Sequence, residues 1–409
     1  MLMTDQGDAG GHVIRCLNVK YSPNLGDGLL SECLEKGLKL HGASSESSSI
    51  DLAGRTEFGQ TITGRGAVMT VLDALPDGLR GLAVRAPLAL QSRRKWGPHY
   101  EAGLIGADAV AIGGGNLLSD HDLNFPTKLA LALRTAAARQ LPVALYACGM
   151  GGHWSVEGDR RMRRALQTGA LDAVFVRDGA SKERWDTRFG AESGKTAEVV
   201  RDPGLLAQQT YGVVPREKGR VPVVGIGIMS HVAIRYHATA LLDEDGLTQW
   251  YIALIRELAG RGARVVVFTN GAPEDLATVD LLRAQISELP GDIEICRPRT
   301  PAELSAIVGG CDAIVAYRMH AVIAAYSHGV PALALSWDDK LDAFMASIGR
   351  EDWMADPADL PAEAAAERVL QAAEAGLDEA RRTQVLAEAL ADVGRLYAAL
   401  SDRIAVARS

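Results

Sequence analysis

Short apolar runs alternate with longer stretches of helical periodicity along most of the chain, and this alternation limits the fold more than any other feature. The runs are almost continuously hydrophobic, as expected for strands that are buried on both faces of a parallel sheet. Candidate strands fall into two series, residues 13–19, 109–112, 143–147, 173–176 and 198–200, then residues 221–228, 264–268, 293–296, 313–316 and 332–336. Strands and helices in this order predict βα repeats around parallel sheets.

The length and the gap between the two series predict the domain organisation. A chain of 409 residues exceeds what one hydrophobic core usually holds, and the polar stretch 214–220 is typical of a linker. We therefore predict an α/β protein with two doubly wound, Rossmann-like domains facing a cleft, residues 1–213 and 214–380. A C-terminal helix is predicted over residues 381–409, with an apolar stripe formed by Leu386, Leu390, Val393, Tyr397 and Leu400.

Two segments in the first half fit this pattern less well. The serine-rich residues 43–49 are predicted to form a surface loop. Residues 52–100 show no clear periodicity, and we expect an irregular insertion or a lid there.

Composition excludes several classes of protein. The net charge of -8 argues against a dedicated nucleic-acid binder, and the basic runs at 93–95 and 160–164 are interpreted as solvated helix faces. Five cysteines without a CxxC pair favour a reduced, cytoplasmic protein, and residues 1–11 lack a secretory pattern. The apolar run 321–337 is interrupted by Gly329 and Pro331, so it predicts a buried helix and strand rather than a membrane span.

The second half carries the most informative polar residues. Arg318 and His320 follow one predicted strand, and Lys340 follows the next. Carboxyl ends of parallel strands are where open α/β sheets bind ligands. Two cations and a titratable imidazole at that edge indicate an anionic ligand, and histidine can act there as a general acid.

Glycine-containing motifs follow strands in the first half. Asn24, Gly26 and Asp27 precede a helical run, where Gly26 permits close approach of a ligand and Asp27 is alternatively a helix N-cap. Gly113, Gly114 and Gly115 match neither a P-loop nor a dinucleotide fingerprint, so close approach of a ligand or of the facing domain would explain them.

Two further strand ends carry Arg177-Asp178 and Asp202-Pro203. An arginine next to an aspartate is compatible with a structural ion pair as well as with a ligand site. No zinc, calcium, kinase or hydrolase motif is present in the sequence, and no metal site is predicted.

These motifs, in this order, resemble the polysaccharide pyruvyl transferase family over roughly residues 15–350. The specific part runs from Arg318-x-His320-Ala321 through Gly329-x-Pro331 to Lys340. The resemblance implies a GT-B-like fold and transfer of the enolpyruvyl-derived group of phosphoenolpyruvate to a saccharide as a cyclic ketal. It further implies the following site residues: His320 and Arg318 as catalytic groups, Arg177, Arg318, Lys340 and Gly113, Gly114 and Gly115 as donor-binding groups, and Asn24, Gly26 and Asp27 as acceptor or turn residues.

The same resemblance sets the expected partners. No cofactor or metal is expected, because phosphoenolpyruvate is the donor substrate and the cations supply charge stabilisation. The acceptor would be a saccharide or a lipid-linked saccharide. A lipid-linked acceptor would require transient membrane contact at the inner face of the membrane. The oligomeric state, a homo-oligomer included, is left open.

Two alternatives remain open on the sequence alone. A GT-B-type glycosyltransferase would use a nucleotide sugar and need a pocket for base and ribose, and a non-catalytic carbohydrate-binding protein could keep the same fold. The Arg-x-His and Lys set favours a small, multiply charged donor over either.

Overall fold

The computed structural model describes residues 11–60, 85–215, 221–234 and 242–408. They group into two compact units, the first from the described parts of Met1–Tyr21, Leu34–Pro203 and Ala389–Ser409, the second from Ser22–Cys33 and Gly204–Glu388. The helices Leu25–Leu40 and Glu379–Arg408 each contribute residues to both units. The predicted boundary between residues 213 and 214 stays a prediction, because the predicted linker lies outside the described residues from 216 to 220.

The first unit contains a parallel six-stranded sheet in the order β2-β1-β3-β4-β5-β6. Its strands are β1 (Ile14–Asn18), β2 (Ser48–Asp51), β3 (Ala109–Gly113), β4 (Val143–Cys148), β5 (Leu171–Val176) and β6 (Glu198–Val199). Its helices are α1 (Leu25–Leu40, in part), α2 (Arg85–Gln91), α3 (Gly97–Gly103), α4 (Asn124–Ala138), α5 (Val156–Leu166), α6 (Gly179–Arg188) and α7 (Gly190–Ser193), and a π-helical turn, Ser92–Trp96, joins α2 to α3.

The second unit contains a parallel six-stranded sheet in the order β12-β11-β10-β7-β8-β9. Its strands are β7 (Val223–Gly227), β8 (Arg264–Phe268), β9 (Ile293–Ile295), β10 (Ala313–Ala316), β11 (Ala332–Leu335) and β12 (Met354–Ala355). Its helices are α8 (Ala207–Tyr211), α9 (His231–Ile234), α10 (Glu244–Gly260), α11 (Pro273–Ser287), α12 (Pro301–Gly309), α13 (Met319–Ser327), α14 (Asp339–Ser347), α15 (Ala362–Ala375) and the first part of α16 (Glu379–Arg408).

The predicted fold class, α/β with two doubly wound parallel sheets and a C-terminal helix, is confirmed. Ten strands lie where the apolar runs predicted them, and each unit has its own apolar core along its central strands. The apolar stripe of α16 differs from the predicted one, because the buried positions are Val385, Ala389, Val393, Leu396, Leu400 and Ile404.

Strand β2 corrects the prediction of a surface loop over residues 43–49, since Ser48 and Ser49 begin this strand. Its sequence is polar because it is an edge strand whose hydroxyl groups bond to the neighbouring strand. Arg15 Nη1 donates to Ser48 Oγ at 2.6 Å, and Asn18 Nδ2 donates to Ser49 Oγ at 2.8 Å. The two-residue strand β12 was also not predicted, because two residues carry no periodicity.

The segment 52–100 is regular in its described C-terminal part, which is helical from residue 85 to residue 103. Residues 61–84 lie outside the described residues. Residues 1–10, for which no secretory pattern was predicted, lie outside them as well. No helix in the described part of the chain has both the length and the apolar content that crossing a bilayer requires.

Ser327, at the end of α13, ties this helix to the segment that enters the second unit. Its buried hydroxyl accepts a hydrogen bond from Gln208 N at 2.9 Å and donates to the Leu205 carbonyl at 2.7 Å. Since α13 carries His320 in its first turn, this hydroxyl helps to fix the helix that presents the imidazole.

We predict that Ser327→Ala lowers the free energy of unfolding by about 1–3 kcal/mol, because a buried donor and a buried acceptor lose their partner. The matched control is Ser287→Ala, where the exposed hydroxyl donates to the Ala284 carbonyl of its own helix. Urea unfolding of both variants checks this. Equal stability of the two variants would contradict the role given to Ser327.

Candidate active site

Both sheets reverse their strand order once, between β1 and β3 in the first and between β7 and β10 in the second. At such a switch point the neighbouring loops diverge, and ligands of open α/β sheets bind at the carboxyl ends of the strands there. Gly113 ends β3 and is followed by Gly114 and Gly115, and Arg318 follows β10. Residues singled out in the sequence therefore lie at both switch points.

A buried carboxylate, Asp275 on α11, organises the switch point of the second sheet. Its Oδ1 accepts the N–H of Ser230, after β7, at 2.9 Å. Its Oδ2 accepts Arg318 Nε, after β10, at 2.8 Å and lies 2.7 Å from Arg318 Nη2. Burial raises the pKa of Asp275, and the Arg318 guanidinium and the Ser230 N–H oppose that shift. One carboxylate thus joins both loops of the switch point.

His320 lies in the first turn of α13, and its side chain is in contact with the backbone of α1. A Cβ added at Gly26 would lie 2.6 Å from His320 Cβ and 2.7 Å from its Nδ1. Such distances are too short for any side chain, so glycine is required at this position. His320 is 7% exposed. The imidazole is therefore held in place from one side by α1.

The motif around Gly26 belongs to the second unit, with His320, and not to the N-terminal half in which the sequence placed it. Leu25 N donates to the Asn270 carbonyl at 2.7 Å, which fixes the motif beside the loop after β8. Asn24 precedes the helix, and its Oδ1 accepts the N–H of Gly26 at 3.3 Å. Asp27 lies inside α1, so the alternative that it is the N-cap is wrong.

Lys340 lies in the first turn of α14, which follows β11, the strand paired with β10. Its Nζ donates to Asp338 Oδ2 at 3.2 Å, and Asp338 also caps the helix by accepting the N–H of Leu341 at 3.0 Å. The Lys340 side chain is 28% exposed. The lysine is thus both anchored by Asp338 and accessible to solvent.

Arg177 follows β5 in the first unit, with two carboxylates near its guanidinium. Nε is 3.9 Å from Asp178 Oδ2, and Nη1 is 4.0 Å from Asp202 Oδ2. Both separations are at the long end for an ion pair. Asp178 also caps α6 by accepting the N–H of Ser181 at 2.7 Å. The Arg-Asp motif therefore starts a helix as well as placing a cation.

The triple glycine allows the loops after β3 and β4 to approach each other. A Cβ at Gly113 would lie 2.2 Å from the Tyr146 carbonyl oxygen, and Gly114 and Gly115 have φ values of 89° and 71°, which favour glycine. Gly149 N donates to the Gly115 carbonyl at 2.8 Å. Loop packing alone accounts for these glycines, and their donor-binding role stays a prediction.

Two buried polar atoms converge on Gly149. A Cβ at Gly149 would lie 2.5 Å from Arg177 Nη2 and 3.0 Å from Asn116 Oδ1. Neither atom has a hydrogen-bond partner within the described residues. Because buried polar atoms are normally paired, this point is a candidate for contact with a ligand.

Each predicted cation has a carboxylate within 4.0 Å: Arg177 has Asp178 and Asp202, Arg318 has Asp275 and Glu274, and Lys340 has Asp338. The predicted cations are therefore held in defined positions but contribute less net positive charge than the sequence suggested.

Sequence reasoning missed Asp275, Asn270 and Asn116. Asp275 lies 43 positions from Arg318, and no local pattern links them. Asn270 is buried after β8, and its Nδ2 has no partner among the residues that the structure describes. Its position directly after an apolar run was the only available signal. No three His, Cys, Asp or Glu side chains group as metal ligands within the described ranges.

A family model described as polysaccharide pyruvyl transferase matches residues 24–339, which include the motifs discussed above from Asn24 to Pro331 and end one residue before Lys340. The chain belongs to this family. The predicted resemblance and the assignment as a transferase are thereby confirmed. No functionally curated protein matches the sequence at a significant level.

The fold is similar to those of several solved structures. UDP-GlcNAc 2-epimerase from Neisseria meningitidis, bound to UDP-GlcNAc, is 12% identical over 96% of this chain and 100% of that chain, with a TM-score of 0.53. A putative UDP-N-acetylglucosamine 2-epimerase from Listeria monocytogenes is 13% identical over 95% and 96% of the two chains, with a TM-score of 0.50. A further UDP-N-acetylglucosamine 2-epimerase is 14% identical over 95% and 94%, with a TM-score of 0.53. At these identities the similarity shows the GT-B-like fold alone.

The contact of Gly26 with His320 generates a stability prediction. Gly26→Ala should lower the free energy of unfolding by about 1–3 kcal/mol, because the added methyl group forces α1 away from α13. The matched control is Gly260→Ala in α10, where a Cβ would meet nothing within 4 Å; there alanine should be neutral or stabilising by up to ~1 kcal/mol. Urea unfolding measures both. A Gly26→Ala variant as stable as the control would show that the close contact does not exist.

Proposed function

We propose that this protein transfers the enolpyruvyl-derived group of phosphoenolpyruvate to a saccharide and forms a pyruvate ketal, with His320 as the general acid. Family membership supports the reaction class. The observation that carries the residue assignment is the placement of His320, which is held against Gly26 at the carboxyl edge of the second sheet, two residues from Arg318.

The proposed donor carries a carboxylate and a phosphate, and the proposed groups that bind it in the second unit are Arg318 and Lys340. The donor-binding role of Arg177, in the first unit, stays a prediction. Arginine suits bidentate capture of such oxyanions, and lysine acts as a point charge. The ion pair with Asp275 uses the Nε and Nη2 edge of Arg318, so Arg318 would donate to the ligand from Nη1. Backbone N–H groups at the start of α13 and α14 would add to anion binding.

The chemistry begins with proton transfer from His320 to the methylene carbon of phosphoenolpyruvate, which leaves an oxocarbenium-like centre. A saccharide hydroxyl attacks that centre and gives up its proton. The carbon–oxygen bond to phosphate then breaks, and a second hydroxyl attacks to close the ketal. Of the two protons released by the hydroxyls, one restores His320 and the other leaves with phosphate.

The acceptor in this proposal is a saccharide, free or lipid-linked. Asn24, Gly26 and Asp27 stay assigned to the acceptor or to the turn that supports His320.

The reaction as written uses neither a metal nor an organic cofactor, because positioned cations and helix N-termini stabilise the donor charge. Addition of EDTA should therefore leave the rate unchanged, and a rate lost with EDTA would overturn this part of the proposal.

The deciding assay incubates the protein with phosphoenolpyruvate and a panel of saccharides. Mass spectrometry should detect a pyruvyl ketal on an acceptor, with stoichiometric release of phosphate. The same panel with UDP-sugars tests the glycosyltransferase alternative, and glycan binding without turnover of either donor would favour the carbohydrate-binding alternative. Either of those outcomes would overturn the proposed function.

His320→Ala should lower kcat by about 10² to 10⁴, the usual contribution of general acid catalysis, while donor binding is retained. His12→Ala, two residues before β1, is the matched control and should keep normal turnover. Phosphate release and calorimetric titration with phosphoenolpyruvate separate catalysis from binding. Full ketal formation by His320→Ala would refute the assignment.

Lys340→Gln should raise KM for phosphoenolpyruvate roughly tenfold with a smaller effect on kcat, because one charge-assisted contact to the donor is lost. Lys36→Gln removes the same charge from an exposed position on α1 and serves as the control. Steady-state kinetics with varied donor measures both. An unchanged KM in Lys340→Gln would remove this lysine from the donor site.

A further inference from the structure

A groove in the first unit brings together basic residues that are separated in the sequence. It lies among the π-helical turn with α3, the helix α4 and the helix α5, and its cavity volume is about 610 Å³. Each of these two helices lines the groove with one face, at positions i, i+3, i+4 and i+7. The residues are Thr127, Ala130, Leu131 and Arg134 of α4, and Glu157, Arg160, Arg161 and Arg164 of α5. A volume of this size is typical of small-molecule pockets. We call this cavity the arginine groove.

Five arginines and two glutamates line the arginine groove, a surplus of three positive charges: Arg93, Arg134, Arg160, Arg161 and Arg164, with Glu101 and Glu157. The chain as a whole has a net charge of -8. A concentrated cationic groove on an acidic protein raises the local concentration of anions.

Two of the arginines are paired with one carboxylate, which they share. Arg160 and Arg161 both donate to Glu157, and Arg161 Nη1 donates to Thr127 Oγ1 at 2.5 Å. Arg93, Arg134 and Arg164 have no carboxylate within 4.0 Å among the described residues. The arginines of the groove that lack a paired carboxylate are therefore these three, and they are the side chains that an external anion would neutralise.

Like charges in the groove repel each other. The pKa of Arg134 is lowered, first by partial desolvation and then by the neighbouring charges of Arg164 and Arg161. Repulsion of this kind costs stability unless an anion compensates it. It is the arrangement expected where a ligand supplies the counter-charge.

The groove also offers apolar and hydroxyl surface. Ala130 and Leu131 of α4 and Pro98 of α3 line it beside the arginines. Ser92 Oγ is buried and has no hydrogen-bond partner within the described residues. The lining thus suits an anionic head group that carries a less polar part.

We propose that the arginine groove binds a phosphate ester or diphosphate group through Arg93, Arg134 and Arg164. Guanidinium groups bind phosphate oxygens bidentately, and three of them around one cavity can surround a multiply charged phosphate. The proposal is independent of the pyruvyl transfer proposed above, because it concerns a different set of residues. It replaces the interpretation of Arg93 and Arg164 as parts of solvated helix faces.

Calorimetric titration of the full chain with inorganic diphosphate at low salt tests the proposal. The variant Arg134→Gln/Arg164→Gln should bind at least roughly tenfold more weakly than wild type. Arg94→Gln, next to the groove, and Arg256→Gln, exposed in the second unit, remove the same charge outside it; both should bind as wild type does. Ketal formation is not needed for this readout, so its result is separate from the fate of the proposed function.

A second probe identifies the source of the phosphate. Flotation with vesicles that contain phosphatidic acid, compared with phosphatidylcholine vesicles, tests a lipid head group. Vesicle binding that the double variant loses assigns the groove to a membrane-borne phosphate, whereas binding of diphosphate alone assigns it to a soluble ligand. Either result supports the proposal.

A thermal melt shows that the variants fold. The double variant should have an unchanged or raised Tm, because it relieves the repulsion between Arg134 and its neighbours. If wild type binds neither probe, or if the double variant binds both as wild type does, the arginine groove is not a phosphate site.

Discussion

The two loops at the topological switch point of the second sheet are held together by one buried carboxylate, that of Asp275. Asp275 lies on α11 and holds Ser230 after β7 and Arg318 after β10. A buried charge is tolerated only when it is paired and hydrogen-bonded, so its partners are fixed as firmly as the carboxylate itself. Arg318 starts α13, and the position of His320 in the first turn of that helix follows from the same pair.

The contact of Gly26 with His320 shows that a motif next to the first strand in sequence can belong to the second unit of the structure. The chain leaves β1, passes through residues 22–33 beside the second sheet's loops, and only then continues in the first unit. The sequence assigned Asn24 and Gly26 to the N-terminal domain because they follow the first strand. Contacts with Asn270 and His320, far away in sequence, decide otherwise, and no local pattern encodes contacts of that range.

The strands and the cations at their carboxyl ends were predictable from the sequence, whereas the carboxylates that pair with those cations were not. Ten strands were found because strands buried on both faces must be continuously apolar, and β2 was missed because hydroxyl groups on an edge strand bond to Arg15 and Asn18 instead. The site cations could be named because they follow apolar runs directly. Asp275 could not, since it lies inside α11 and meets Arg318 only through the fold.

The cations at the strand ends of each unit differ physically from those of the arginine groove, and the two proposals predict different kinds of recognition. At the strand ends each cation is held near a carboxylate, so its geometry is set before a ligand arrives and its net attraction for anions is modest. In the arginine groove, Arg93, Arg134 and Arg164 are exposed and lack such anchors among the described residues. Exposed charges act at long range but are screened by salt. The proposed donor binding should therefore depend mainly on shape and hydrogen-bond direction, and the proposed phosphate binding in the groove mainly on ionic strength.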